Sequence, residues 1–264
     1  MQLAYAHFYG LDQSSDAGPG FTVRAMNADP NRIVEPHVHE GAHAVAVLGG
    51  VYRSLASPDV PLHVGDIVFN PHGVEHADSF DGAQGRFLTV SYDPGLYPAQ
   101  KGETRLPTTL AHTNALAAVY AIIRHLRSPE APDSQALEAA VLHIAHCAAP
   151  PSFETKRRPP GWATRARDRL VSGEAELTVA HLASEQGMHP VAFARTFRRY
   201  FGKAPLAFGL EARLRSSAQD LARGKLPISE IGLKWGFCDQ AHFSRQFRLH
   251  FGASPGQFRR TIQS

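Results

Sequence analysis

Apolar residues follow two rhythms along this chain, and the change comes near residue 110. Before it, short runs alternate apolar with polar positions: Phe21 to Met26, Ala44 to Leu48, Ile67 to Phe69 and Phe87 to Tyr92. A period of two turns one side of a strand inward. Turn-forming clusters separate the runs at Asp29-Pro30-Asn31, Gly49-Gly50, Ser57-Pro58-Asp59, Pro71-His72-Gly73 and Asp81-Gly82. Many short strands with regular breaks predict an all-β sandwich or barrel over residues 21–98. Residues 1–20 show neither period and are rich in Gly and Ser, which predicts a loose arm.

Beyond residue 110 the spacing becomes three and four. Leu116, Val119, Tyr120, Ile123 and Leu126 form one stripe; Leu137, Val141, Leu142, Ile144 and Ala145 form another. Ser128 to Asp133 divides them, so a helical hairpin is expected, with a stripe that must be buried somewhere. Residues 94–110 read as a connector. Pro150, Pro151, Pro159, Pro160 and Gly161 around Lys156-Arg157-Arg158 read as a stiff linker.

The last third is patterned most sharply. Ile228, Ile231 and Trp235 share one helix face, and Gly236 stops that helix. Asp239 caps a second helix, whose buried face carries Phe243, Phe247 and Phe251. Its opposite face holds Ala241, Arg245 and Arg248, with Gln240, His242 and Ser244 on the shoulders. Two short helices, a tight turn and a second helix apolar behind and basic in front make a helix-turn-helix, which can enter a DNA major groove. The pattern occurs twice. Phe193 to Pro205 aligns with Phe243 to Pro255 at a constant offset of 50 residues. The first copy spans about 178–201 and the second about 228–251. In the first, Val191, Ala194 and Arg195 face the groove. Val191 can touch a thymine methyl and Arg195 can read a base, while Arg198, Arg199, Arg248 and Lys203 suit phosphates. Leu206, Leu210, Leu214 and Leu221 mark the buried side of a long helix between the copies.

Charge follows this division. Residues 1–155 hold 8 Lys+Arg against 16 Asp+Glu, a net of −8; residues 156–264 hold 19 against 8, a net of +11. The basic half suits a polyanion and the acidic half does not.

Gly236-Phe237-x-Asp239, His242-Phe243-Ser244-Arg245-x-Phe247 and Phe251-Gly252-x-Ser254-Pro255-x-x-Phe258-Arg259 together resemble the signature of the AraC/XylS family of bacterial transcription regulators. Gly232 departs from it, standing where the family usually has alanine, as does Ala241 where it usually has serine. The resemblance implies a double-stranded DNA operator, read by both recognition helices in successive major grooves. It further implies a homodimer formed through the helical hairpin, and RNA polymerase as a partner of an activator.

The acidic half carries a second constellation. His37 and His39 share a strand face, and His43 is in phase with them. Residues 65–76 fit Gly-x5-Pro-x-Gly-x2-His and end on His76. Together these stretches resemble the two cupin motifs, with His43 in the place of the usual glutamate. By that resemblance His37, His39, His43 and His76 converge inside a barrel. An all-nitrogen set suits a divalent transition metal (Zn, Fe, Ni or Cu) and not Mg or Ca. Arg24, Tyr52, Arg53, Arg86 and Tyr92 are further pocket candidates, an inward arginine being suited to a carboxylate or phosphate. The strand phase leaves open which of them points inward.

The expected architecture is α+β and multidomain. A cupin β-barrel (jelly roll) with its N-terminal arm occupies 1–106, a hairpin 107–149, a linker 150–161 and an all-α domain with two helix-turn-helix motifs 162–264. The expected function is DNA-binding regulation controlled by a small-molecule or metal effector; the alternative is a metal-dependent cupin enzyme fused to a DNA module. Cys147 and Cys238 lack metal-type spacing and read as buried small residues of a reducing compartment. With no signal peptide and no membrane-length apolar run, a cytoplasmic location is expected.

Overall fold

The computed structural model describes residues 2–29, 34–93, 107–110, 113–127, 133–148, 159–172, 174 and 177–263. The connector over 94–106 and the basic triplet of the linker lie outside them.

The arm is more ordered than its sequence predicts. β1 (Gln2–Leu3) pairs in parallel with β4 (Val38–His39), and β2 (Leu11–Gly18) pairs antiparallel with β3 (Phe21–Asn27). β2 is an edge strand, largely exposed and held by backbone bonds, so it shows no apolar alternation. The remaining strands are β5 (Ala42–Arg53), β6 (Leu62–His63), β7 (Ile67–Asn70), β8 (Ser79–Tyr92) and β9 (Thr108–Thr109). The main sheet runs β2-β3-β8-β5-β7-β9, with β6 on the second half of β5. This path ends on β2 and β9, so among the described residues the sheet does not close into a barrel. Two breaks expected from Gly49-Gly50 and Asp81-Gly82 are not breaks. β5 runs through the glycines with register shifts around Gly49, and β8 continues through 81–82.

β5 is buried on both sides, and its alternation sorts two environments. Ala42, Ala44, Ala46 and Leu48 face a helical layer. Val45 and Val47 face a second cluster with Met26, Val68 and Phe87. The bulge at Gly49 then changes the phase and sends Tyr52 into that second cluster.

The helical layer begins with the expected hairpin, α1 (Thr113–Leu126) and α2 (Ser134–Ala148). α1 buries more than its stripe, including Ala115, Ala118 and Ile122, because it is packed on two sides. One side meets the sheet; the other meets the C-terminal helices. Those helices are α3 (Gly161–Ser172), α4 (Val179–Ser184), α5 (Pro190–Phe201), α6 (Pro205–Arg223), α7 (Ile228–Lys234), α8 (Gln240–Phe251) and α9 (Pro255–Gln263).

The two repeats bury their phenylalanines in different cores. Phe193 and Phe197 of α5 pack with Leu170 and Leu182 in a cluster of their own. Phe243, Phe247 and Phe251 of α8, with Phe258 of α9, join one continuous core with α1, α2 and the sheet. α6 serves both, with Phe208 in the first core and Leu214, Ala218 and Leu221 in the second. Polar bonds reinforce the second junction. Arg86 of β8 donates to the Gln263 and Ile262 carbonyls at 3.3 and 3.4 Å, and Arg127 donates to the Thr261 carbonyl. These are end-of-helix carbonyls that have no partner within their own helix. Gln219 of α6 donates to Asp66 at 2.8 Å.

Candidate nucleic-acid interface and histidine cluster

α8 starts where Asp239 accepts a bond from the His242 backbone N–H at 2.6 Å. The turn before it depends on Gly236, whose φ of 71° is the left-handed conformation glycine adopts freely. Gly232 lies at a close crossing: a Cβ there would lie 3.1 Å from Cβ of Phe243, so a side chain would require α7 and α8 to give by a few tenths of an ångström. In the first copy the cap is His189, whose Nδ1 accepts from Val191 N–H at 3.3 Å.

With the phenylalanines inward, the opposite faces are open. Val191 is 69% exposed; Arg195, Arg198, Gln240, Arg245 and Arg248 are exposed, and Ala194, His242 and Ser244 are half-buried. His242 also packs edge-on against Phe237 in the turn, with centroids 5.6 Å apart. Among the described residues, Arg195, Arg198, Arg245 and Arg248 make no ion pair, whereas Arg169 is held by Glu174 and Glu185. Lys203, a phosphate candidate from sequence, is tied to Glu211. The exposed faces of the second helices of both motifs therefore carry guanidinium groups with no carboxylate partner among the described residues.

The histidines of the acidic half lie close together, with His37, His39, His43 and His76 lining one cavity. His37 and His76 face each other across an antiparallel bridge, exchanging backbone bonds of 2.9 and 3.0 Å. His37, His39 and His76 are buried, with one ring nitrogen from each lying within 4.8 Å of the others. His37 Nε2 is 3.1 Å from His39 Nε2. His37 Nδ1 lies 2.8 Å from the Glu35 carbonyl, and His76 Nδ1 lies 3.0 Å from the Val74 carbonyl. A backbone carbonyl accepts only from a protonated Nδ1, which leaves each Nε2 lone pair directed inward. Lone pairs that converge in a buried space are what a divalent transition ion requires, so these residues fit one. Burial and the neighbouring imidazoles push His39 down to about 3, and burial lowers His37 as well.

His43 sits beside this trio but is engaged elsewhere. It is register partner to Asn70, whose Nδ2 lies 2.9 Å from His43 Nε2. Of the pocket candidates, Tyr52 alone lines the cavity of about 150 Å³ next to the histidines, with Phe8, Phe80 and Phe87. Tyr92 falls on the helical face of β8, with its hydroxyl donating to the Val141 carbonyl at 3.1 Å. Arg24 pairs with Asp12, Arg53 with Asp81, and Arg86 turns to α9. Tyr92, Arg53 and Arg86 fall on the other side of their strands, whereas Arg24 shares the face of Met26 and is turned aside by its ion pair with Asp12. Phe8 of the N-terminal arm stacks on His39, with ring centroids 4.8 Å apart. Cys238 is exposed and Cys147 half-buried, so neither is a buried core residue.

The repeated motif, its caps and its open basic faces define a helix-turn-helix DNA-binding domain. Residues 164–261 match the family model described as "Helix-turn-helix domain". RclR of Escherichia coli K12, an "RCS-specific HTH-type transcriptional activator", is 35% identical over 86 residues, 33% of this chain and 30% of that protein. The arabinose operon regulatory protein of the same organism is 30% identical over 86 residues, again 33% and 30% of the two chains. The "HTH-type transcriptional regulator MtrA" of Neisseria gonorrhoeae is 24% identical over 261 residues, covering 84% of this chain and 86% of that one. The chain thus spans about a third of the length of the curated relatives it matches first. Within that span the C-terminal domain is a helix-turn-helix domain similar to those of the two Escherichia coli regulators. Two of these relatives are named as transcriptional activator or regulator and the third as an operon regulatory protein. No helix among the described residues is long and apolar enough to cross a membrane.

Proposed function

We propose that this chain is a one-component transcription regulator in which a cupin-related N-terminal domain holds a divalent transition metal and thereby controls operator binding. The observation that carries the reading is the pairing of Arg195 and Arg245: equivalent places in two helices 50 residues apart, both exposed and both free of carboxylates among the described residues. Each can approach a guanine edge in a major groove. Control by metal is supported by the three converging imidazoles and by the carbonyls that fix the tautomers of His37 and His76. When bound, the ion supplies a fixed positive centre that binds the three imidazoles together. The chain's own part is to keep His37 and His39 neutral and to exclude water with Phe8. The shared core supplies a route from sheet to reader, through α1 to α8 and α9.

The test is operator selection from random duplexes by the full chain, followed by affinity measurement in chelator and with Zn²⁺ added. A metal-dependent change in affinity for the selected sequence is expected. Selection of no sequence at all would remove the DNA reading; selection with identical affinity in chelator and Zn²⁺ would remove control by metal.

A further inference from the structure

Asp78 lies two residues beyond His76 and enters the same cavity. Its Oδ2 stands 3.9 Å from His76 Nε2 and 3.4 Å from Asn70 Nδ2. Its Oδ1 is buried and has no hydrogen-bond partner among the described residues. Its side chain is 12% exposed. Tyr52 lines the same cavity as this carboxylate, and its hydroxyl is pushed well up first by burial and then by the charge of Asp78.

A largely buried carboxylate needs a counter-charge or a full set of donors. The residues lining this cavity include no Lys or Arg. Asp29 is another acid of the lining, so the walls bring negative charge and π-faces toward the histidines. The environment is built for a cation. Donor atoms about 2.0–2.1 Å from a tetrahedral ion stand roughly 3.3–3.4 Å from one another. The His37–His39 separation of 3.1 Å and the His76–Asp78 separation of 3.9 Å bracket that value, whereas the set of donors all within 4.8 Å of one another comprises His37, His39 and His76 alone, so the Asp78 carboxylate must swing inward to complete the shell.

His43 meets the opposite conditions. Its Nε2 already faces the Asn70 amide at 2.9 Å, and the β5–β7 register holds the two residues opposite each other. Asn70 in turn reaches Asp78, so it links the displaced histidine to the carboxylate. Four imidazoles would also leave both positive charges of a divalent ion uncompensated in a buried site, whereas three imidazoles and one carboxylate neutralise half.

We propose that Asp78, and not His43, is the fourth protein ligand of a divalent transition metal held by His37, His39 and His76, with Tyr52 and Asn70 orienting the carboxylate. This rests on the metal reading above and deepens it. The set is three nitrogens and one oxygen, a borderline donor group that takes Zn²⁺, Fe²⁺, Co²⁺ or Ni²⁺ rather than the thiophilic Cu⁺.

The test uses the metal-stripped full chain. Zn²⁺ affinity is measured by competition with a chromophoric chelator, for the parent chain, Asp78→Asn, His43→Gln and His76→Gln. Asp78→Asn keeps the shape and hydrogen-bonding capacity of the side chain and removes the charge. Loss of an orienting partner alone costs about 10- to 100-fold in affinity. Asp78→Asn should exceed about 100-fold, and His43→Gln should stay within the orienting range. Nitrogen hyperfine structure in the Cu²⁺ resonance spectrum of the unaltered chain supplies a readout that needs no variant, and three coupled nitrogens are expected. Four coupled nitrogens, or a large loss in His43→Gln with none in Asp78→Asn, would overturn the assignment of Asp78 and leave the metal in place. A parent chain that binds no Zn²⁺, or binds it equally well as His76→Gln, would overturn the metal reading itself.

Discussion

Tyr120 of α1 lies against Phe258 of α9, with ring centroids 5.1 Å apart and planes 25° from parallel. Both rings are buried, and they join a helix that covers the sheet to the last helix of the DNA-binding domain. Truncating a buried aromatic ring costs about 3–5 kcal/mol through lost contacts and the cavity left behind. Tyr120→Ala should therefore lower the thermal midpoint by roughly 6–20 °C for a chain of this size, while Tyr120→Phe, which keeps the ring, should fall by far less. The same Ala variant should weaken any effect of metal on operator affinity. Calorimetry and DNA titration in chelator and Zn²⁺ check both effects.

Arg245→Ala removes a side chain that touches no carboxylate of its own chain among the described residues, so folding should be unaffected. Discrimination between the selected operator and a variant at one guanine should drop by about 1–3 kcal/mol. Arg195→Ala should do the same at a different base, because α5 is a separate reader. Anisotropy titrations on a panel of single-base operator variants measure this. Unchanged discrimination would show that the groove is entered by another face.

Phosphate contacts behave differently from base contacts. Arg248 is exposed and lies one residue before Leu249, near the end of α8. Arg248→Ala should weaken binding by similar factors on specific and random duplexes, and should reduce the slope of log affinity against log salt by about 1. Arg198→Ala should match it from the first motif. A salt series on both duplexes reads the slope directly.

The histidine cluster sets a pH response in the metal-stripped chain. His39 titrates at about 3 in the fold, against an ordinary value near 6.5 in the unfolded chain. As pH falls from about 6.5 towards about 3, the unfolded chain takes up a proton that the folded chain refuses. Stability must therefore decrease with acidification across that window, and be level above it. Burial lowers His37 and His43 too, so they act in the same direction. Urea midpoints should be lower at about pH 5 than at about pH 7.5, and His39→Gln should flatten the dependence.

Legibility from sequence differed between the two halves for physical reasons. The helix-turn-helix copies announced themselves because a helix repeats its caps, glycines and phenylalanines at fixed spacing, and Asp239, Gly236 and Phe243 each act locally. His37, His39 and His76 were legible because alternation and one Pro-x-Gly turn suffice to aim them. Tyr92 and Arg86 were not, since their direction depends on how β8 registers against β5 around Gly49, a long-range matter. β2 gave no signal because an edge strand can be held by its backbone alone. Asp78 carried no sequence signal, because its neighbour Asn70 approaches from another strand.

The two readers have unequal anchorage. The second is built into the same core as the sheet, whereas the first keeps a small core of its own at the far end of α6. A strain arising in the sheet would therefore rotate one reader about that shaft and leave the other behind. Torque of this kind changes the angular phase between two grooves rather than the grip on either. It would let a regulator prefer one count of base pairs between half-contacts over another.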